Sequence, residues 1–355
     1  MKRSILLPLL CAAAAAVLSP ARLSAQTAEA DTTAQRRHFA LPSWMPQVSG
    51  TIRGKWELQT EEGESRFEVR TARIALDGFI TPMVDYKAEI DLSDEGQIKM
   101  LDAYAGVLPT QGMAVRIGQM RVPFSIDAHR SPHKQYFANR SFIAKQVGNV
   151  RDVGVYAGYQ LPSLPLILEA SVFNGSGLTN QKDYWTKKFN FSAKLQVPLA
   201  CGLTLEGSVQ KVSPNDCAVY LYDCGATLQR GRFNVEAEYL RKHYTHSAFT
   251  DVNAVDAFVC YDQPLHHAFR KISFLCRYDM MDNHSDGTLD ADGRFKLTDA
   301  RRHRLTPGVT LSMARKMNAD IRLNYEKYFY DDTSLAKRSE RDKVVVELVV
   351  HFPNK

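Results

Sequence analysis

The stretch Val84-Asp85-Tyr86-Lys87-Ala88-Glu89-Ile90-Asp91-Leu92 alternates strictly between apolar or aromatic and charged side chains. Successive side chains of a β-strand point to opposite faces, whereas a helix would spread these charges around its axis. The alternation therefore predicts a strand with one apolar face and one charged face. Charge also occupies the centre of the stretch, so the polar face needs water along its whole length.

The same alternation recurs from about residue 45 to the end of the 355-residue chain. We count sixteen predicted strands, within a range of fourteen to eighteen, at about residues 46–59, 65–80, 83–93, 98–108, 113–121, 151–161, 165–174, 187–198, 202–213, 216–229, 231–245, 253–263, 268–280, 299–315, 317–331 and 342–352. After the first 18 residues, no apolar run approaches the roughly 20 residues of a membrane-spanning helix.

Two all-β architectures fit this pattern. A mean hydropathy of −0.29 and 24% charged residues would suit a soluble antiparallel protein. However, nearly every strand has one apolar and one charged face, and a barrel with lipid outside and water inside accommodates both without an open edge. We therefore predict an all-β fold, a transmembrane antiparallel β-barrel of about 16 strands. Tyr104, Tyr159, Phe173 and Phe352 lie near predicted strand ends and suggest an aromatic girdle.

The N-terminal region has a different composition. Residues 1–25 combine a basic start, a 14-residue apolar stretch and a small residue at Ala25, which predicts a secretory signal peptide. Residues 26–44 form a poorly ordered lead-in, and 45–355 form the barrel. Removing the signal peptide lowers the formal net charge from +6 to about +3, so we expect no nucleic-acid partner. The five remaining cysteines have no disulfide-framework or zinc-site spacing.

The connections between strands differ in length. Residues 81–82, 110–112, 199–202 and 213–216 predict short turns, whereas 174–187, 281–298 and 331–342 predict long polar loops at the opposite end. Residues 122–150 contain no alternation but hold five apolar or aromatic anchors, including Phe124, Phe137 and Phe142. A long connection of this kind is usually functional, and we predict a loop after strand 5 that folds into the channel.

Several sequence motifs resemble those of the phosphate-selective porin O and P family. They are Arg70-Thr71-Ala72-Arg73-Ile74-Ala75-Leu76-Asp77-Gly78, Tyr86-Lys87-Ala88-Glu89-Ile90-Asp91, Asp102-Ala103-Tyr104, Val115-Arg116-Ile117-Gly118-Gln119-Met120-Arg121-Val122-Pro123-Phe124-Ser125, and Arg140-Ser141 followed by Arg151-Asp152-Val153-Gly154-Val155. The resemblance implies a sixteen-stranded porin of the bacterial outer membrane. It further implies a homotrimer embedded in lipid that passes inorganic anions such as phosphate through a basic constriction.

The candidate constriction residues are all basic. They are Arg70 and Arg73 on the second strand, Arg121 at the loop entrance, and Arg130, Lys134, Arg140 and Lys145 within the loop. Arginine suits anion recognition because its planar guanidinium donates parallel hydrogen bonds and keeps its proton. Eight acids fall on the same strand faces as the basic residues, which predicts a mild preference rather than strict phosphate specificity.

The sequence is compatible with one function other than a channel. A non-conducting barrel whose long loops bind a surface partner or glycan is the alternative. No catalytic motif is present, and Ser131 with His129 and His133 offers only a weak hydrolase candidate, so we expect no enzyme and no cofactor. The acidic stretch 282–293 has Gly293 where a calcium loop places its bidentate Glu, so we predict no metal site.

Overall fold

The computed structural model describes residues 45–146, 150–178, 181–214, 217–314 and 318–352. Within these ranges the chain forms a single sheet of sixteen antiparallel strands that closes on itself, which confirms the predicted fold class. Helices long and apolar enough to cross a bilayer are absent from the described part of the chain. The predicted signal peptide (1–25) and the lead-in (26–44) lie outside it and stay predictions.

The observed strand boundaries differ from the predicted ones by no more than three residues. The strands are β1 (Gln47–Gln59), β2 (Ser65–Thr81), β3 (Val84–Asp94), β4 (Gln97–Val107), β5 (Met113–Arg121), β6 (Arg151–Gln160), β7 (Ile167–Phe173), β8 (Asn190–Pro198), β9 (Leu203–Val212), β10 (Val219–Arg230), β11 (Phe233–Tyr244), β12 (Val252–Pro264), β13 (Phe269–Met281), β14 (Arg302–Met313), β15 (Ala319–Tyr330) and β16 (Lys343–Phe352). A five-residue helix, α1 (Phe142–Gln146), and short 3₁₀ turns at Pro132–Lys134, Thr245–Ser247, Thr333–Leu335 and Arg338–Glu340 interrupt the connections.

The first and last strands form the seam that closes the barrel. β1 pairs antiparallel with β16 from Gly50 opposite Phe352 to Gln59 opposite Lys343. Across the seam, Arg53 Nε donates to Glu347 Oε1 at 2.8 Å. Closure satisfies the backbone groups that an edge strand would expose, as a bilayer requires.

The alternation sorts side chains to the predicted faces. On β3, Asp85, Glu89 and Asp91 are buried inside the barrel, whereas Leu92 on the opposite face is 46% exposed. Exposed apolar side chains occur on strands all around the outer surface, among them Val48, Ile52, Phe67, Ile98, Ile117, Val172, Val259, Leu323 and Leu348. A continuous apolar surface of this extent is a lipid-facing wall.

The two ends of the barrel differ as predicted, with one correction. The turn end carries both barrel termini and the connections 82–83, 108–112, 161–166, 199–202, 231–232, 265–268 and 314–318. The loop end carries 60–64, 95–96, 122–150, 174–189, 213–218, 245–251, 282–301 and 331–342. The grouping of 213–216 with the short turns was wrong, because odd-numbered strands run toward the loop end and β9 therefore ends there.

An apolar cluster fills part of the barrel interior near the loop end. It includes Phe124, Phe142, Leu240, Tyr244 and Met281, all nearly inaccessible to solvent, together with Met120, Val122, Ile143, Phe173, Val219, Leu221, Val252, Ala254, Phe295 and Tyr328. Two predicted girdle residues were therefore wrong. Phe173 shares the inward face of β7 with Glu169 and Ser171, and Tyr104 faces inward, where the Arg116 guanidinium lies 5.0 Å from its ring.

Candidate functional site

Residues 122–146, here named the lumen segment, follow β5 and contact inward-facing side chains on widely separated strands. From β1, Arg53 donates to Gln135 Oε1 and to the Ala138 carbonyl, both at 2.6 Å. From β8, Lys194 donates to the Ser125 carbonyl at 2.9 Å. The β15 residue Asn324 accepts from the Ala138 amide at 2.8 Å. Because these strands lie on different sides of the barrel, the lumen segment crosses its interior.

Carboxylates on the barrel wall hold both halves of the lumen segment. Glu238 on β11 accepts from the Ser125 hydroxyl and from the amides of Ile126 (2.8 Å) and Asp127 (3.3 Å). Ser125 itself has a φ of 64°, a left-handed conformation that a non-glycine residue adopts only where contacts such as these compensate the strain. Farther along, Asp279 on β13 accepts from the amide of Phe142 at 3.1 Å. Charged acceptors form the stronger class of hydrogen bond, so these anchors fix the segment's path.

Aromatic side chains of the segment pack against wall arginines. The Phe137 ring lies 4.5 Å from the Arg277 guanidinium. Phe142, the first residue of α1, lies between Arg302 at 4.5 Å and Arg304 at 4.6 Å. Such desolvated cation–π contacts are favourable, and they orient the wall arginines as well as the segment.

Two cavities lie on opposite sides of the lumen segment. The loop-end cavity, of about 650 Å³, is lined by Lys145 and Gln146 from the segment and by residues of β11 and the 174–189 and 282–301 connections. The turn-end cavity, of about 670 Å³, is lined by residues 126–136 in part and by β8–β15. The segment is therefore the structural divide between the two openings.

Four of the seven predicted site residues have carboxylate partners. Arg70 contacts Glu95 at 2.6 Å near the loop end, and Arg73 contacts Asp91 at 2.9 Å. Arg130 pairs with Asp127 at 3.0 Å and with Glu236. Lys145 lies 3.3 Å from Glu340. These pairs reduce the charge that each residue offers to a passing ion.

The other three predicted residues, Arg121, Lys134 and Arg140, have no carboxylate within 4.0 Å in the described part of the chain. Arg121 donates to the His129 carbonyl at 2.7 Å, and Arg140 donates to the carbonyls of Asp127 and Arg130. Both guanidiniums thus hold the same turn of the lumen segment. Lys134 is exposed and lines the turn-end cavity.

Positive charge is concentrated where β2, β5 and β6 face the segment. Arg121 lies within electrostatic range of Arg73, Arg140 and Arg151. Arg151 is paired with Asp102 at 2.7 Å, and Arg73 is paired as described above. The two guanidiniums without acid partners therefore stand beside two that are already neutralised, and the cluster keeps a net positive charge.

Sequence reasoning missed several lumen residues. Arg53, Arg304 and Arg322 are buried inside the barrel and hold the lumen segment or the wall acids. Lys242 on β11 is also buried, and it lines the loop-end cavity. Parity along β11 could have found it, because Glu236, Glu238, Leu240 and Lys242 occupy alternate positions of one face.

One group of carboxylates has the spacing of a cation site. Oxygen atoms of Glu236, Glu238 and Asp256 lie within 4.8 Å of one another. Glu236 is paired with Arg130, Glu238 binds the lumen segment, and the Arg277 Nε lies 3.8 Å from Asp256. The structure thus gives these acids roles in holding the segment.

Comparison with known proteins supports the fold and the family. Residues 55–215 match the family model described as phosphate-selective porin O and P. None of the curated protein sequences compared matches the chain.

Similar solved structures are porins and outer-membrane channels. The anion-selective porin from Comamonas acidovorans is 12% identical, with 86% of this chain and 99% of that chain covered and a TM-score of 0.62. The channel DcaP of Acinetobacter baumannii is 15% identical, with 86% and 97% covered and a TM-score of 0.60. The trimer form of OmpT from Vibrio cholerae is 11% identical, with 86% and 99% covered and a TM-score of 0.60. At these identities the similarity supports the shared barrel alone.

The closed barrel, its apolar outer wall and the family match converge on one assignment. The chain is a porin of the bacterial outer membrane, and its residues 55–215 match the model of the phosphate-selective porin O and P family.

Proposed function

We propose that this outer-membrane channel prefers small inorganic anions, phosphate among them, and that the preference arises beside the lumen segment. The observation that carries the proposal is the pair Arg121, at the end of β5, and Arg140, within the lumen segment. Neither has a carboxylate partner among the described residues. Each is half-buried, so neither is fully screened by water.

The chemistry follows from partial dehydration. An anion that enters a narrow passage loses part of its hydration shell, and fixed cationic donors replace it. Arginine contributes charge together with a planar set of N–H donors. Lys134 on the turn-end side adds a third, exposed charge. Several weak sites in sequence allow an ion to leave as well as enter.

The lumen acids limit the expected preference. Asp91, Asp102 and Glu89 face inward beside the arginines and are paired with them. Paired charges largely cancel beyond their own contact, so the unpaired cations determine the sign of the local field. We therefore expect a moderate anion preference, not exclusion of cations.

Planar bilayers test the proposal directly. The folded protein should give stepwise conductance, and the reversal potential in a KCl gradient should indicate chloride preference. Arg121→Gln should weaken that preference, whereas Arg121→Lys should retain most of it because the charge remains. Arg241→Gln serves as the matched control, since Arg241 is exposed and paired with Asp251 near the loop-end rim. Wild-type reversal potential in Arg121→Gln would contradict the proposal.

The lumen segment and the apolar cluster favour one alternative, a barrel that binds a partner through its loops without conducting. Phe142, Leu240 and Met281 in that cluster are fully buried, so part of the interior excludes water. Absence of stepwise current from correctly folded protein would favour this alternative. The absence of enzymatic activity stays a prediction.

We also propose a homotrimer, which the family resemblance implies and which the trimer form of OmpT from Vibrio cholerae supports by analogy. Electrophoresis of unheated and heated samples after mild cross-linking tests this assembly. Cross-linked samples that show only the monomer band would contradict the homotrimer.

A further inference from the structure

We propose that the loop-end cavity is a binding site for an organic anion, one with a carboxylate or phosphate group attached to an apolar, preferably aromatic, body. The inference rests on the proposed channel function and names a substrate class for it. The site is separate from the arginines around Arg121, because neither Arg121 nor Arg140 lines this cavity.

Lys242 is the centre of the site. Lys242 is only 7% exposed. In the described part of the chain, no carboxylate lies within 4.0 Å of its ammonium group. The ammonium group donates to the Gln146 carbonyl at 3.0 Å and contacts His284 Nε2 at 2.7 Å. An ammonium group has three N–H donors, so one remains for a ligand. The side chain also lines the cavity, where that donor can reach a bound group.

His284 is arranged to accept from Lys242. Burial, and then the nearby Lys242 charge, lowers the pKa of His284 to about 4. The imidazole is therefore neutral at pH 7 and accepts a hydrogen bond from the Lys242 ammonium group through Nε2, while its Nδ1 lies 3.9 Å from Asp299. A neutral acceptor does not compensate the positive charge that Lys242 carries when it is protonated.

The charges around the cavity point to an anion. Lys145, Lys187 and Lys188 line it together with Lys242, whereas Asp286 is the one carboxylate among its described lining residues. Burying an unpaired charge is costly unless an opposite charge approaches it. A bound anion would supply that charge for Lys242.

The size of the cavity and the aromatic rings in its otherwise polar lining indicate an organic ligand. Tyr244 and Phe295, 4% and 7% exposed, line the cavity with their rings 5.7 Å apart. Trp185 contributes an exposed ring from the 174–189 connection. Cavities of about 300–1,000 Å³ hold small organic molecules, and aromatic side chains supply apolar contacts to them. A bare inorganic ion would leave most of the 650 Å³ unused.

Calorimetric titration with phenyl phosphate and with inorganic phosphate separates the contribution of the lysines from that of the aromatic residues, because the two probes share a phosphate group and differ by the ring. We expect phenyl phosphate to bind the folded protein in detergent at least about tenfold more tightly than phosphate. Lys242→Met should weaken both by about tenfold or more. Phe295→Ala should weaken phenyl phosphate and leave phosphate nearly unchanged. Lys211→Met is the matched control, because Lys211 lies on β9 outside this cavity.

Equal affinity for the two probes, or unchanged phenyl phosphate binding in a folded Lys242→Met protein, would overturn the inference. Heat-dependent electrophoretic mobility identifies folded variants, and Lys145→Met provides a second test of the lysine lining if Lys242→Met does not fold. Bilayer current is recorded on the same preparations. Anion-preferring current without a phenyl phosphate preference refutes this site alone, whereas binding without current refutes the channel proposal.

Discussion

Replacing Phe142 by alanine should free the lumen segment and enlarge the conductance of the channel. The ring is inaccessible to solvent, and Arg302, Arg304 and Tyr328 contact it from the barrel wall. Deleting a buried phenylalanine costs about 3–5 kcal/mol, which includes the lost packing and the cavity left behind. The wall arginines keep acid partners, since Arg304 binds Asp279 at 2.6 Å. The loss therefore falls on docking of the segment.

This loss of docking free energy determines the expected change in the single-channel current. If docking weakens by about 3–5 kcal/mol, the ratio of undocked to docked segment rises by roughly two to four orders of magnitude. Single-channel recordings should then show frequent transitions to a larger conductance level, and liposome swelling should admit larger neutral sugars. Phe233→Ala is the matched control, because Phe233 is 51% exposed on the outer surface. Wild-type current and size exclusion in folded Phe142→Ala protein would refute the idea that the segment divides the lumen.

Three further predictions concern the same segment. Glu238→Gln keeps the shape of the side chain but replaces an accepting oxygen by an amide NH₂ group, which cannot accept. It should therefore loosen residues 125–127 by about 1.5–3 kcal/mol and speed proteolysis within 122–146. Burial, and then the charges of His351 and Lys134, lowers the pKa of His133 to about 4. Because this value lies below the unfolded-state pKa of about 6.5, docking has its full stability above about pH 6.5 and loses it as the pH falls toward 4. Current noise should therefore rise over that interval, and a flat pH profile would contradict the expectation; His133→Asn should reduce the rise. Lys134→Gln should lower anion preference less than Arg121→Gln does, because exposed Lys134 is better screened; an equal or larger effect on the reversal potential would place the constriction nearer the turn end.

The sequence was sufficient to predict the barrel because the period of two is read directly from neighbouring residues. Asp85, Glu89 and Asp91 face inward and Leu92 faces outward, as their positions indicate. The prediction fails where a second assumption, that aromatic residues near strand ends face the lipid interface, is allowed to override the alternation. Phe173 was assigned to the lipid interface from its position near a strand end, but its parity with Glu169 directs it into the apolar cluster.

The candidate site was harder to predict because charge pairing depends on register and on the path of the lumen segment. Arg70 and Arg73 look equivalent to Arg121 in the sequence, yet β3 and the turn after it supply acids to both. Arg121 and Arg140 instead bind carbonyl groups of the segment, which no local pattern encodes. The alternation along β11 places Lys242 inside the barrel, but its partners, Gln146 and His284, lie 96 and 42 positions away, so the sequence does not reveal the site that they form.

The seam between β1 and β16 has a consequence for how the molecule assembles. Arg53 binds Glu347 across the seam and also binds Gln135 and Ala138 of the lumen segment. If the barrel closed first, the folded lumen segment would have to enter through an open end and only then form its hydrogen bonds with Arg53. The pairing of β1 with β16 joins residues nearly 300 positions apart, the greatest sequence separation among the strand pairs. Contacts of large sequence separation form slowly. We therefore expect an open, curved sheet to collect the segment first, so that circularisation of the sheet is the last step of folding and seals the segment inside.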